Sequence, residues 1–256
     1  MDIKDPRNPN RRQDKYTQGR NAESFDPRTT LVRPAMRVVV EENTEKYPKP
    51  IKSDDVIITP NFENAPLLFE NLFNEMKQLQ ENEEKDVDYT SWACGTHLLI
   101  KNPEKSSTYQ RIIKHICDYY DIDMNTIAVR YNFYKDDMDW KPLHFDSAAF
   151  NKQRAQQQNI TVGLSLGRTR ELVFKHANDS TLVYLPMKNG TLYSFGKAVN
   201  INWMHGINAI HKREQTNEGR ISIIVWGWAK NTIQEPNEPR LLENNDRRPH
   251  KYSNTK

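Results

Sequence analysis

From residue 127 onward the apolar residues of this chain recur at every second position. Period two is the signature of strands, because successive side chains point to opposite faces. Strand candidates run 127–135, 142–146, 159–167, 171–176, 181–185, 191–196, 201–209 and 220–228. Turn formers such as Asn178-Asp179 and Asn189-Gly190 separate several of them. Many short strands with no helix between them must bury their apolar faces against one another, sheet on sheet. Two helix candidates precede them. In the segment 59–84, Phe69, Leu72, Phe73, Met76 and Leu79 form one apolar stripe, with Asn61 as a capping residue. In the segment 106–122, Ile112, Ile113, Ile116, Cys117 and Tyr120 share a side, with Ser106, Ser107 or Thr108 as cap. Further upstream, "TLVRPAMRVVVEE" reads as an early strand and "EKYPKPIKSDD" as a connector. The expected class is α+β, a mostly β core of jelly-roll type backed by the N-terminal helices.

Composition narrows the setting. A chain of 256 residues holds one substantial domain, or at most two. The expected division is a polar N-terminal extension over residues 1–50, a folded domain over 51–235 and a polar tail over 236–256. No apolar run approaches the ~18 residues that span a bilayer, so no membrane association is expected. The start, "MDIKDPRNPNRRQDKY", lacks the apolar stretch of a secretory signal. Only Cys94 and Cys117 are present, so a disulfide framework is not expected. These features suggest an intracellular, reducing compartment, cytoplasm or nucleus. The net charge of +3 lies in the ends: residues 1–30 and 236–256 carry +2 each, leaving −1 between them. The core is therefore not a uniformly basic surface for nucleic acid.

Four features on the strand candidates carry chemistry. In "WKPLHFD", His144 and Asp146 are two apart and so share a strand face. That is either half of a metal site or a structural hydrogen-bonded pair. His205 lies in the apolar run "INWMHGINAI", as a satisfied core histidine or as a ligand. In "GRISIIVWGWA", one face carries Arg220, Ser222, Ile224, Trp226 and Trp228, and the other Ile221, Ile223, Val225 and Gly227. Burying an arginine on such a strand is costly without an anion; the alternative is that it snorkels to water. A planar guanidinium suits a carboxylate, which it can hold through two parallel hydrogen bonds. In "IAVRYNFYKDD", Arg130, Asn132 and Tyr134 share a face, as a polar edge or as donors to a bound acid. Two histidines and one carboxylate on one side of an iron leave positions open, as in non-haem Fe(II) oxygenases. A carboxylate-binding arginine beside them suggests a co-substrate with two acid ends.

The stretches "NFYKDD", "HFD", "ITVGLSLGRTRELVFKH", "NGTLYSFG", "WMHGINAI" and "RISI" resemble the AlkB-like family of 2-oxoglutarate/Fe(II) dioxygenases. The likeness covers roughly residues 127–228. It implies a double-stranded β-helix core in which His144, Asp146 and His205 hold Fe(II). It further implies that Arg220 clamps the distal carboxylate of 2-oxoglutarate, with Asn132, Tyr134 and Ser222 among the residues around that co-substrate. Such enzymes couple O2 and the oxidative decarboxylation of 2-oxoglutarate to hydroxylation of a C–H bond, and an N-methyl group so treated is lost as formaldehyde.

Two positions depart from the family pattern. Repair members have a second arginine six residues after the first, where this chain has Trp226. They also carry acidic residues directly after the metal aspartate, where Ser147, Ala148, Ala149 and Phe150 stand here. The expected substrate is a base in single-stranded DNA or RNA, or else a protein side chain or small molecule. A non-catalytic binding module of the same fold is a third reading. Neither substrate nor oligomeric state follows from these residues.

Overall fold

The computed structural model describes residues 36–82, 89–91, 95–178, 181–233 and 239–243. An eight-stranded sheet is built from β1 (Arg37–Val40), β3 (Asp55–Thr59), β4 (Tyr89–Ser91), β5 (Leu98–Ile100), β6 (Ala128–Tyr134), β8 (Ile160–Gly167), β11 (Thr191–Gly196) and β13 (Arg220–Gly227). Its strands lie in the order β1-β3-β11-β8-β13-β6-β5-β4. Facing it, β7 (Lys141–His144), β9 (Arg170–His176), β10 (Leu182–Met187) and β12 (Trp203–Ile207) form a second sheet in the order β10-β9-β12-β7. A small parallel pair joins β2 (Ile51–Lys52) to β14 (Thr232–Ile233). The two large sheets make the double-stranded β-helix expected from the sequence. Among the described residues no helix is long and apolar enough to cross a membrane.

Two apolar layers follow from the alternation. On β13, Ile221, Ile223 and Val225 pack outward with Val162, Leu164 and Leu166 of β8. This layer is closed by α1 (Leu68–Glu81) through Leu68, Leu72 and Met76, and by α2 (Ser107–Tyr120) through Ile112, Ile113 and Ile116. Ile224 points the other way, into the layer between the sheets, with Val56, Leu172, Phe174, Phe195 and Trp203. Both faces of the large sheet are therefore covered, which suits the near-continuous apolar runs of β8 and β13. Ser106 caps α2: its side chain accepts from the Tyr109 amide at 3.0 Å.

Several expectations need correction. Asn61 does not cap α1; the helix starts after Leu67 without a side-chain cap, and Asn61 sits at a positive φ of 54°. The connector reading of residues 45–55 misses β2 and the start of β3. The strand region contains short helices, α3 (Lys152–Ala155) and α4 (Lys197–Asn202). The latter takes up the first part of the expected strand 201–209. Its apolar Ala198, Val199 and Ile201 are buried, and a short apolar run does not reveal by period alone whether it is helix or strand. The strand expected over 142–146 ends at His144. The reading of residues 1–30 as an extension lies outside the described residues. Most of the expected loose tail does too, although Leu242 donates from its amide to the Ala149 carbonyl at 2.8 Å.

Candidate metal centre and anion clamp

The register of the small sheet places His205 directly across from His144, with ring centroids 4.5 Å apart. Asp146 follows β7 on extended backbone (φ −68°, ψ 152°), so it still converges with His144 although the ladder has stopped. One ligand atom from each of His144, Asp146 and His205 lies within 4.8 Å of the others. Asp146 Oδ1 is 3.9 Å from His144 Nε2 and 3.6 Å from His205 Nε2. The sequence proposed these three residues from 59 positions of separation, and the fold brings them together.

The surroundings orient each ligand. The Pro142 carbonyl lies 2.8 Å from His144 Nδ1, which puts the ring proton there and leaves Nε2 as the lone-pair nitrogen. Thr161 Oγ1 donates to Asp146 Oδ2 at 2.9 Å, and the Asp146 amide donates to Asn200 Oδ1 at 2.9 Å. One carboxylate oxygen is thus tied back and the other faces both imidazoles. Burial, with help from His205 and Lys141, pushes the His144 imidazole well below its usual range. Burial likewise lowers His205 to about 4. Burial alone would raise the Asp146 carboxyl, but His205, His144 and Lys141 outweigh it and hold it below the usual carboxylate range. Two neutral imidazoles and one anionic carboxylate are donors of the kind a divalent transition metal takes.

On the facing sheet, Arg220 pairs with Tyr134 and Ser222 pairs with Asn132 across β13 and β6. Arg220 is fully buried, not at a water-exposed mouth. Its Nε donates to Ser165 Oγ at 2.9 Å, and its guanidinium carbon lies 5.0 Å from the Tyr134 ring centroid. Nη1 and Nη2 are buried without a hydrogen-bond partner, and so is Asn132 Oδ1. Asn132 Nδ2 donates to the Ser222 carbonyl at 3.3 Å. Two unfilled donors on a buried guanidinium are expensive to leave so, and a carboxylate would fill both.

One inner cleft joins His144, Asp146 and His205 to the neighbours of Arg220, while Arg220 itself does not line it. Asn132, Tyr134, His144, Asp146, His205 and Ser222 all line it. His144, Asp146 and Trp226 also line an outer basin with Arg130, Phe145 and Phe150. The Arg130 guanidinium lies 5.2 Å from the Trp226 ring centroid. Trp226 is part-buried against the layer between the sheets, so it both packs and borders the site. Buried Arg170 donates to the Asp139 and Asp136 carbonyls, at 2.6 and 3.3 Å, and so anchors the loop leading into β7.

Sequence reasoning did not single out Thr161 and Asn200, which hold Asp146, or Lys141, which lines the inner cleft. Lys141 opens the short β7, and its burial depends on the pairing with β12 rather than on a local pattern. For Thr161 and Asn200 no local signal exists, since they reach Asp146 from 15 and 54 residues away.

No family model matches the sequence, and no curated protein does. Among solved structures, the chain is similar to the structure of OsALKBH1, at 14% identity and a TM-score of 0.45, over 71% of this chain and 100% of that one. It is also similar to the crystal structure of a Pseudomonas putida prolyl-4-hydroxylase, at 11% identity and a TM-score of 0.43, over 65% of this chain and 89% of that one.

Proposed function

We propose that this chain is a 2-oxoglutarate- and Fe(II)-dependent oxygenase. The observation that carries this reading is the meeting of three ligand atoms within 4.8 Å of one another, in a cleft also lined by Tyr134, over whose ring lies a buried guanidinium with two unpaired nitrogens. In this reading His144, Asp146 and His205 hold the metal. Arg220 receives the distal carboxylate of 2-oxoglutarate, and Asn132, Tyr134 and Ser222 line its berth. All of these residues lie within 51–235, the expected catalytic domain.

Bound Fe(II) would supply the redox chemistry by which O2 and 2-oxoglutarate yield succinate, CO2 and a hydroxylated substrate carbon. The protein's part is position and charge. Thr161 and Asn200 fix the carboxylate, and Pro142 fixes the tautomer of His144. Arg220 orients the diacid before reaction, which lowers the entropic part of the barrier. The apolar layer around Phe174, Phe195 and Ile224 keeps bulk water from the cleft.

For the substrate, the outer basin supports a molecule with flat rings on an anionic backbone, such as single-stranded DNA or RNA. Arg130 and Arg154 supply positive charge there, Phe145, Phe150 and Trp226 supply ring faces, and Asp146 is the one acid among the lining residues. Oxidation of an N-methyl group would make the enzyme a demethylase. A protein side chain or small molecule is the second reading. It is favoured by Ser147–Ala149, a short turn with Ala148 and Ala149 buried, where no acid is present to meet a cationic damaged base. The test is anaerobic loading with Fe(II), addition of 2-oxoglutarate and O2, and measurement of succinate. Mass spectrometry of methylated oligonucleotides and of lysate then reads the gain of one oxygen or the loss of one methylene. Succinate formation that requires iron supports the reading; its absence with metal bound overturns it. Oligonucleotide binding that weakens with salt supports the first substrate, and none at low salt leaves the second.

A further inference from the structure

β7 carries a bulge. His144 pairs with His205 and Lys141 with Ile207, so Pro142 and Leu143 together stand opposite the single residue Gly206. On a regular strand, residues three apart face opposite sides. The extra residue turns Lys141 to the same side as His144, and both line the inner cleft. The local sequence suits the distortion. Pro142 has no amide hydrogen to leave unpaired. Gly206 has no Cβ, and one built there would stand 2.7 Å from the Lys141 carbonyl oxygen.

The result is a lysine only 8% exposed, which costs its ammonium much of its hydration. Burial, with Arg130 and Arg220 adding to it and Asp146 opposing, lowers its pKa to about 8. Among the side chains lining this cleft, Asp146 is the one carboxylate, against Lys141, with Arg220 buried behind Tyr134. A divalent ion on Asp146 would add to the positive excess. A ligand with an anionic group at each end matches that distribution, one group for each sheet's cation.

We propose that Lys141 makes the second ionic contact to the co-substrate, answering the carboxylate at the metal end while Arg220 answers the distal one. The inference rests on the oxygenase reading above. It makes recognition of the diacid bipartite, with one cation on each sheet, and it makes the bulge in β7 a binding device. Lys141 is three residues before His144 on the strand that carries the metal ligand, and Arg220 is on the opposite sheet.

The test is calorimetric titration of the full chain, with Zn(II) in place of iron so that nothing turns over. Two ligands are compared: 2-oxoglutarate and 2-oxopentanoate, which keeps the metal-binding end and lacks the distal carboxylate. Lys141→Met should weaken both ligands, by roughly 10- to 100-fold, the range for a hydrogen bond to a charged group. Arg220→Met should weaken 2-oxoglutarate by a similar factor and leave 2-oxopentanoate unchanged. Lys141→Arg should bind both ligands better than Lys141→Met does. Wild-type affinity in Lys141→Met and Lys141→Gln overturns the proposal, and a lowered melting temperature with that affinity retained shows a structural lysine. An effect of Lys141→Met on 2-oxoglutarate alone also overturns it, because both cations would then serve the distal end. If the wild type binds neither ligand, the oxygenase reading falls, and this inference with it.

Discussion

The two faces of β13 are built from one strand and one set of neighbours, yet they solve different problems. Ile221, Ile223 and Val225 on the outer face are fully buried against helices α1 and α2, in an apolar layer. Arg220 and Ser222 on the inner face are just as buried, and Arg220 leaves two donors unpaired. Burial is therefore not what distinguishes them. The outer face of β13 presents only apolar side chains, while the inner face keeps two guanidinium nitrogens buried without partners. Buried polar atoms left without partners in an otherwise well-packed sheet mark where stability has been given up for binding.

Four substitutions probe that contrast. Asp146→Ala should abolish both metal binding and succinate formation while the protein still folds, read by metal analysis and circular dichroism. Full metal occupancy in the variant would remove Asp146 from the ligand set. Ile223→Ala on the outer face should cost about 2–5 kcal/mol of stability through lost burial and a residual cavity, measured by denaturant melts. Arg220→Met, three residues away on the inner face, should leave unliganded stability equal or higher, because it removes an unsatisfied buried charge. Equal destabilisation by the two would erase the difference between the faces. Thr161→Val keeps the shape but removes the donor to Asp146 Oδ2; metal affinity should fall by roughly 10- to 100-fold, read by competition with a chelator.

The smallest effect lies farthest from the site. Glu75 Oε1 accepts from the Ser107 amide at 2.7 Å at the start of α2. Burial opposes its ionisation, but hydrogen bonds from Thr108 and Ser107 outweigh it and lower the carboxyl below its ordinary 4.5. The folded pKa is depressed, so this contact stabilises above the unfolded pKa and is lost as pH falls through the folded one. Glu75→Gln should cost about 0.5 kcal/mol near neutrality, a solvent-screened amount. The difference from wild type should vanish in melts well below pH 4.

Much of this site was legible in the sequence because alternation is a local property. The inner set of Ser222, Ile224 and Trp226, with Arg220 over the inner-layer Tyr134, and the outer set of Ile221, Ile223 and Val225 follow from period two and appear as such. Arg130, Asn132 and Tyr134 face the same way for the same reason, opposite Ile224, Ser222 and Arg220 in the register. What stayed hidden is non-local or irregular. The bulge at Pro142-Leu143 depends on pairing with Gly206, so period two alone starts the strand at 142 and leaves Lys141 outside it. The supports of Asp146 come from β8 and α4, whose closeness only the fold creates. Helix α4 was hidden inside an apolar run that reads equally well as strand.

The central claim is that His144, Asp146 and His205 share one metal ion. Crystals grown without oxygen and soaked in Fe(II), with diffraction recorded on both sides of the iron absorption edge, test it most directly. One anomalous peak is expected within coordination distance of His144 Nε2, His205 Nε2 and Asp146 Oδ1. A peak elsewhere, or an iron-loaded protein with no peak among these three atoms, would contradict it.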